Sequence, residues 1–400
     1  MKVLVLTSSL PTPSWGAGTR NYYFLKALAT RYTVSLLSLV EREEDVEKAT
    51  LLNDFVHTIK CVTRPANSKK RKEQLTYLTQ GKSYSVASNS FPAVQEALDQ
   101  LCAEDHHEMV LFESALMANY RVPQGMKCII DEHNVEYELL WRTFKREAVV
   151  GWRKWYNLWE SSLLKPVEIA LCKKADLVLA TSERDGSTLR EKLPSAVVDV
   201  VPNGVDIEVF QSDTLDQPSH QIIFTGAMNY YPNIDAVLTF AKNSWPLIKA
   251  QIPDATWLIV GREPPSQVRA LESLAGVTVT GSVADVRPYM ATSAVAIAPL
   301  QIGGGTRLKI LEAFAMSRPV VSTSIGCEGL SVTHEKNLLI ADHPEEFAQA
   351  VIRLLQNPQM RTQLGSAGRL LVEQEYSWES CGARLLHILE EHMSEREKVC

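Results

Sequence analysis

The feature that most constrains the fold is an opening that occurs twice. "KVLVLTS" (2–8) is an unbroken apolar run closed by proline, the pattern of a parallel strand buried on both faces. A glycine-containing loop, "PTPSWGAGTR", follows. "NYYFLKALAT" then places Tyr22, Leu25 and Leu28 at helical spacing, and "YTVSLLSLV" (32–40) returns as a strand. Strand, loop, helix, strand begins a doubly wound sheet. Further strands are expected at 108–113, 127–133, 175–181 and 196–203. After "VPNGVDIEVF" the series restarts with a strand at 220–226, a helix over 234–251 and a strand at 255–261. Three more strands are expected at 276–281, 293–300 and 318–323. The chain therefore reads as α/β, with two Rossmann-like domains facing a central cleft onto which the carboxyl ends of both sheets open. The hinge is expected near Asn203–Phe210, where Asn-Gly marks a turn. One domain would span 1–203, completed by an amphipathic helix at 378–400, and the other 204–377.

With 400 residues, 45% of them hydrophobic, the chain can fill two cores. Its 41 basic and 47 acidic residues leave a net charge of −6, so no global basic field recruits nucleic acid. The seven cysteines are odd in number and form no C-x-x-C pair, which argues against a disulfide framework or a thiolate zinc site. No apolar run approaches the roughly 18 residues of a membrane span, and "KVLVLT" reads as a strand rather than a signal peptide. These features lead us to expect a soluble cytoplasmic protein.

Three segments carry candidate chemistry. "GGGTRLKILEA" (303–313) is an unusual helix entrance, because three glycines are costly to order. Thr306 can cap the helix. Arg307 and Lys309 then fall in the first turn, where the helix dipole disfavours cations by roughly 0.3–1 kcal/mol each. Exposed N–H groups of Gly304, Gly305 and Thr306, with the two cations, would suit an anion. Glu312, one turn beyond Lys309, could accept two hydroxyls, as the acidic residue of dinucleotide sites does on ribose. A plain Lys309–Glu312 surface pair would not explain the glycines. In "WGAGTR", Gly16 and Gly18 would let backbone approach an anion and Arg20 would add charge, although the motif stops short of G-x-G-x-x-G. His133 follows a strand in "IIDEHNVEYELLW", where it could donate a hydrogen bond or exchange a proton near neutral pH. Helix capping is its plainer role, and Asp131, Glu132 and Glu136 are alternatives for the chemical one.

"GGGTRLKILEAFAMSRPVVSTSIGCEGL", together with "VVPNGVD", "TSERD" and the "GAGTR" loop, resembles the GT-B retaining glycosyltransferases of family 4, collinearly over nearly the whole chain. The resemblance implies transfer of a sugar from a nucleotide-diphosphate sugar to a hydroxyl of a glycan, glycolipid or lipid-linked acceptor. The donor would lie on the second domain and the acceptor on the first, with the C-terminal helix crossing back. It also implies that Glu312 holds the ribose hydroxyls, that His133 contacts the transferred sugar, and that Gly16, Gly18 and Arg20 approach the donor phosphates. Two departures stand out. Gly304 occupies the place of a donor-sugar glutamate. Ala227 in "FTGAMNYYPN" stands where many members carry a phosphate-binding Arg, with no Lys shortly beyond. We therefore expect Arg307 and Lys309 to supply the missing charge as catalytic cations. No D-x-D occurs and no His/Cys cluster has ligand spacing, so neither a metal nor another cofactor is expected. Alternatives are an epimerase or hydrolase on the same donor, or a non-catalytic nucleotide-sugar-binding protein.

Two segments of the first half remain. "NSKKRKEQLTYLTQGKSYS" (67–85) holds four consecutive basic residues, and "WRTFKREAVVGWRKWYNLW" (141–159) mixes six aromatics with five cations. They would suit peripheral contact with an anionic membrane at the inner surface, or a lipid-phosphate acceptor. A solvated charge run beside a core-packed helix is the plainer reading and is preferred on sequence alone.

Overall fold

In the computed structural model the described residues are 1–13, 16–65, 70–145, 151–211, 220–302 and 307–397. They form two compact units. Unit 1 comprises Met1–Pro202 and Cys381–Cys400, and unit 2 comprises Asn203–Ser380.

Unit 1 is built on seven parallel strands: β1 (Lys2–Thr7), β2 (Thr33–Val40), β3 (Thr58–Thr63), β4 (Met109–Phe112), β5 (Lys127–Glu132), β6 (Leu177–Ala180) and β7 (Val198–Val200). Their spatial order is β3-β2-β1-β4-β5-β6-β7. β1 sits centrally because Val3, Leu4, Val5 and Leu6 all lose their solvent, as two-sided burial in a parallel sheet requires. Unit 2 repeats the plan with β8 (Gln221–Thr225), β9 (Thr256–Val260), β10 (Val277–Gly281), β11 (Val295–Ala298), β12 (Val320–Ser322) and β13 (Leu339–Ile340), in the order β10-β9-β8-β11-β12-β13. Each sheet reverses winding direction once, between β1 and β4 in unit 1 and between β8 and β11 in unit 2. Open α/β sheets bind ligands beyond the carboxyl ends of the strands at such a reversal.

The helices that bear on function in unit 1 are α1 (Gly16–Ala29), α2 (Lys70–Thr79), the short α3 (Tyr84–Ala87), α4 (Glu136–Lys145) and α5 (Trp152–Cys172). Unit 2 contributes α6 (Tyr231–Asn243) and α7 (Leu308–Ala315). The terminal helix α8 (Trp378–Glu397) returns the chain to unit 1, where Leu385 and Leu389 are fully buried. Every strand expected from the sequence is present. Two were not anticipated. β3 is half-exposed along most of its length, and β13 is only two residues long; both are edge strands. The single helix expected over 234–251 is two. α6 ends at Asn243, and a separate helix, Trp245–Gln251, starts with Pro246, whose missing N–H and fixed φ favour a new first turn.

Candidate functional site

In unit 2 the winding reversal gathers the candidate residues. α7 follows β11, and Ile310, Leu311, Phe314 and Ala315 bury one face of it. The helix begins one residue later than expected. Arg307 occupies the cap position and makes no side-chain cap, and Thr306, proposed from sequence as the cap, lies outside the described residues with Gly304 and Gly305. Arg307 is buried and donates through Nη2 to the Ile325 carbonyl at 3.2 Å.

Lys309 reaches from α7 to the carboxyl end of β8. Its ammonium donates to Asn233 Oδ1 at 2.7 Å and sits 3.9 Å from the centroid of the Phe224 ring. Asn233 Nδ2 donates to the Ala227 carbonyl at 2.9 Å, which turns the amide oxygen toward the lysine. Gly226 makes this approach feasible. A Cβ there would lie 2.7 Å from Asn233 Nδ2 and 3.0 Å from Lys309 Nζ. Lys309 therefore brings an ammonium from α7 to the "FTGAMNYYPN" segment. Asn233 belongs to this site although the charge pattern of "FTGAMNYYPN" does not point to it.

Burial pushes the Lys309 ammonium down to about 7, with nearby Arg307 adding to the drop and Glu312 opposing it. Burial also pushes the Glu312 carboxyl up to about 7, and Lys309 pulls it back. Among the described residues nothing hydrogen-bonds to that carboxyl, and Glu312 keeps part of its surface open to solvent. A lysine and a glutamate, both shifted to the neutral range and adjacent at a strand-end crevice, gain most from a ligand that is anionic at one end and hydroxylated at the other. Lys309–Glu312 is thus not a surface pair. A surface depression of about 590 Å³ at the β13 edge, lined by His334, Glu345 and Arg353 among others, contains none of these groups and lacks their converging chemistry.

In unit 1, Gly16 and Gly18 belong to the first turn of α1 rather than to a loop. The Gly18 carbonyl accepts the Thr12 N–H at 3.2 Å. Arg20 corrects the sequence reading. It is 2% exposed and grips Asp131 through Nε (2.7 Å) and Nη2 (2.6 Å), while Nη1 donates to the Pro202 carbonyl at 3.0 Å. Phe24 stacks beneath its guanidinium, 4.1 Å from ring centroid to carbon. A guanidinium so enclosed holds the unit together and is not presented to a donor phosphate.

His133 does lie just past the carboxyl end of β5, with Nε2 3.1 Å from Asp131 Oδ2. Burial raises the Asp131 carboxyl, but Arg20's charge and hydrogen bonds, joined by His133, outweigh it and hold the group at about 2. A permanently ionised Asp131 fixes the Nε2–H tautomer of His133 and leaves Nδ1 as its acceptor. Of the alternative acids, Glu132 is buried and accepts the Ala115 N–H at 2.7 Å, and burial together with Glu168 raises it well above the usual carboxylate range. Glu136 opens α4. The N–H groups of Glu136 and Tyr137 are capped by Glu168 of α5 at 2.9 and 3.1 Å. Of these four, His133 alone combines a strand-end position with a half-buried ring.

With this geometry in view, residues 219–357 match the family model described as glycosyl transferases group 1. The matched span includes Asn233, Arg307, Lys309 and Glu312. A GDP-mannose-dependent monoacylated alpha-(1-6)-phosphatidylinositol monomannoside mannosyltransferase of Corynebacterium glutamicum is 30% identical over 210 residues, covering 48% of this chain and 55% of that protein. An uncharacterized 44.6 kDa protein in the cps region of Klebsiella pneumoniae is 23% identical over 267 residues, 64% of this chain and 65% of that one. The chain thus spans between about half and two thirds of the length of these relatives. Among solved structures, Anabaena Alr3699/HepE in complex with UDP and glucose aligns with a TM-score of 0.68 at 15% identity, covering 98% of this chain and 100% of that one. The fold, two parallel-sheet α/β units, is that of GT-B glycosyltransferases.

Proposed function

We propose that the chain is a hexosyltransferase that moves a sugar from a nucleotide-diphosphate sugar to a hydroxyl acceptor. The observation that carries this reading is the Lys309–Glu312 pair at the β8/β11 reversal, one group poised to gain a proton and the other to lose one. A diphosphate beside Lys309 would restore full charge to the ammonium. The ribose hydroxyls would bind the Glu312 carboxyl, which has no hydrogen-bond partner among the described residues. Arg307 adds positive potential, and the dipole at the start of α7 also favours an anion.

In this reading the bond from the anomeric carbon to the donor phosphate breaks while the acceptor oxygen bonds to that carbon. The departing phosphate oxygen takes the acceptor proton, and charge on the leaving group is balanced by Lys309 and Arg307 without a metal. The family 4 resemblance assigns His133, held by Asp131, to the transferred sugar. Retention of configuration follows from the family 4 resemblance. Gly16 and Gly18 remain candidates for donor contact through their backbone. For the acceptor we propose a glycan, glycolipid or lipid-linked sugar. The name of the Corynebacterium relative supports this choice, since it specifies a phosphatidylinositol mannoside. Among the described residues no helix is long and apolar enough to cross a membrane, and we propose action from the cytoplasmic side.

A thermal-shift screen of UDP-, GDP-, ADP- and dTDP-sugars tests the donor site. A donor at 100 times its Kd adds roughly 2.7 kcal/mol of stability. Silence across the panel overturns the reading. A shift without turnover on any acceptor would instead mark a non-catalytic binding protein, the alternative that Gly304 in place of the glutamate favours.

A further inference from the structure

α5 is turned inside out. Its buried residues include Asn157, Glu160, Ser161 and Glu168, while Trp152, Trp155 and Trp159 are 54%, 66% and 57% exposed. Three of these buried polar groups, Glu160, Ser161 and Glu168, have work inside unit 1. Glu160 accepts from the Ser83 hydroxyl (2.6 Å) and the Ser85 N–H (2.9 Å) at the start of α3. Ser161 donates to the Tyr137 carbonyl at 2.8 Å, and Glu168 caps α4. Packing therefore fixes the polar stripe inward, and the i, i+3, i+7 spacing of the three tryptophans puts them together on one outward stripe.

α4 extends this surface. Trp141 is 40% exposed and its ring lies 5.4 Å from Phe144, which lies 6.2 Å from Trp155 across the two helices. Two ammonium groups rest on these rings, Lys145 4.9 Å from Trp141 and Lys154 5.6 Å from Phe144. Arg153 is exposed between Trp152 and Lys154. On α5 the one acid from 152 to 162 is Glu160, which is buried and engaged. Tyr156 ties this face to α2 through Gln74. The four tryptophans together expose on the order of 300–500 Å² of aromatic surface, as large as the patches that mark interaction sites. The local balance is positive in a chain whose net charge is −6.

We propose that the α4–α5 face docks on a phospholipid bilayer rich in anionic headgroups, with the tryptophans at the headgroup–acyl boundary and Lys145, Arg153 and Lys154 on the phosphates. Tryptophan favours that boundary because its ring is apolar and its N–H polar, and interleaved cations select acidic lipid over neutral lipid. The surface lies wholly within unit 1 and its test needs no donor or acceptor, so its outcome is separate from that of the transferase reading.

The experiment is flotation with phosphatidylcholine vesicles, with and without phosphatidylglycerol, at about 0.1 M salt. A parallel measurement quenches tryptophan fluorescence with brominated acyl chains. The wild-type chain is expected to float with the acidic vesicles, to be quenched by them, and to be released by high salt. Trp152→Ser/Trp155→Ser/Trp159→Ser should lower partitioning roughly tenfold or more with an unchanged melting curve, as expected for exposed positions. Arg153→Glu/Lys154→Glu should abolish the preference for acidic lipid while leaving the tryptophans in place. Equal binding to neutral vesicles, absence of quenching, or a triple variant that partitions like wild type overturns the proposal. So does a lipid-free dimer of the wild type that the triple variant dissolves, which would assign the face to a second copy.

Discussion

Replacing Lys309 with methionine separates a binding residue from a structural one. The drop of its ammonium from 10.5 to about 7 corresponds to a penalty of roughly 5 kcal/mol on the charged form in the ligand-free site. Methionine keeps the volume and removes the charge. It also loses the Asn233 hydrogen bond and the Phe224 contact, together worth about 2–3 kcal/mol. The expected net effect is a gain of about 2–3 kcal/mol, or a rise in Tm of roughly 4–12 °C. Differential scanning fluorimetry near pH 6 reads this directly, because Glu312, raised to about 7, stays mostly protonated there. The pH dependence has a fixed sign. The folded pKa lies below the unfolded value, so the cost is complete below pH 7 and fades as pH climbs toward 10.5. The Tm gap between variant and wild type should close over that window. Calorimetric titration of the donor identified by the screen should show the opposite trade, a loss of roughly 2–4 kcal/mol in affinity at pH 7. A variant that is less stable than wild type at pH 6 and binds donor unchanged would refute the reasoning.

Glu312→Ala should weaken donor binding about ten- to hundredfold, and a donor lacking the ribose hydroxyls should bind wild type and variant alike; a persisting difference removes the ribose assignment. Above pH 7 the wild-type donor Kd should rise about tenfold per pH unit as the free ammonium is lost, whereas Lys309→Arg should give a flat profile between about pH 7 and 9. Asp131→Asn should cost about 3–5 kcal/mol in urea unfolding by stranding Arg20, and pairing it with Arg20→Met should recover much of the loss. Because the Asp131 pKa is depressed to about 2, its contribution holds above about pH 4 and disappears as pH falls toward 2, which acid titration of the wild type can follow. Turnover in excess chelator should match turnover in its absence; a tenfold fall would restore a role for metal.

The sheets were legible because two-sided burial writes a continuous apolar run into each central strand. Val3 to Leu6 and Val295 to Ala298 could not be mistaken for loop. β3 and β13 escaped because an edge strand needs only half of that signal, and "TIKCVT" mixes it with a charge. The break at Ser244 was written in Pro246, but the apolar spacing on either side runs through it. At the site, Glu312 and Lys309 stood out as chemistry with no structural excuse. Arg20 was misread for the reason that makes it important. Its partner Asp131 lies 111 residues away, and no local pattern announces a long-range ion pair. Asn233 was missed because its task, orienting a lysine 76 residues away, exists only after folding.

Arg20 also holds the carbonyl of Pro202, the last residue before the chain leaves unit 1, and the unit regains the chain only at Cys381. Gly382 then packs so tightly on Ala27 of α1 that an added Cβ would sit 2.8 Å from the alanine methyl. During synthesis, therefore, unit 1 emerges first but finishes last. Its sheet must wait with the outer face of α1 bare until the insert has been translated and α8 arrives. Unit 2, continuous in sequence from 203 to 380, has every residue it needs before that moment. A nascent chain released at 380 should thus hold a complete second unit and an uncovered first one, a natural substrate for chaperones and a natural target for proteases.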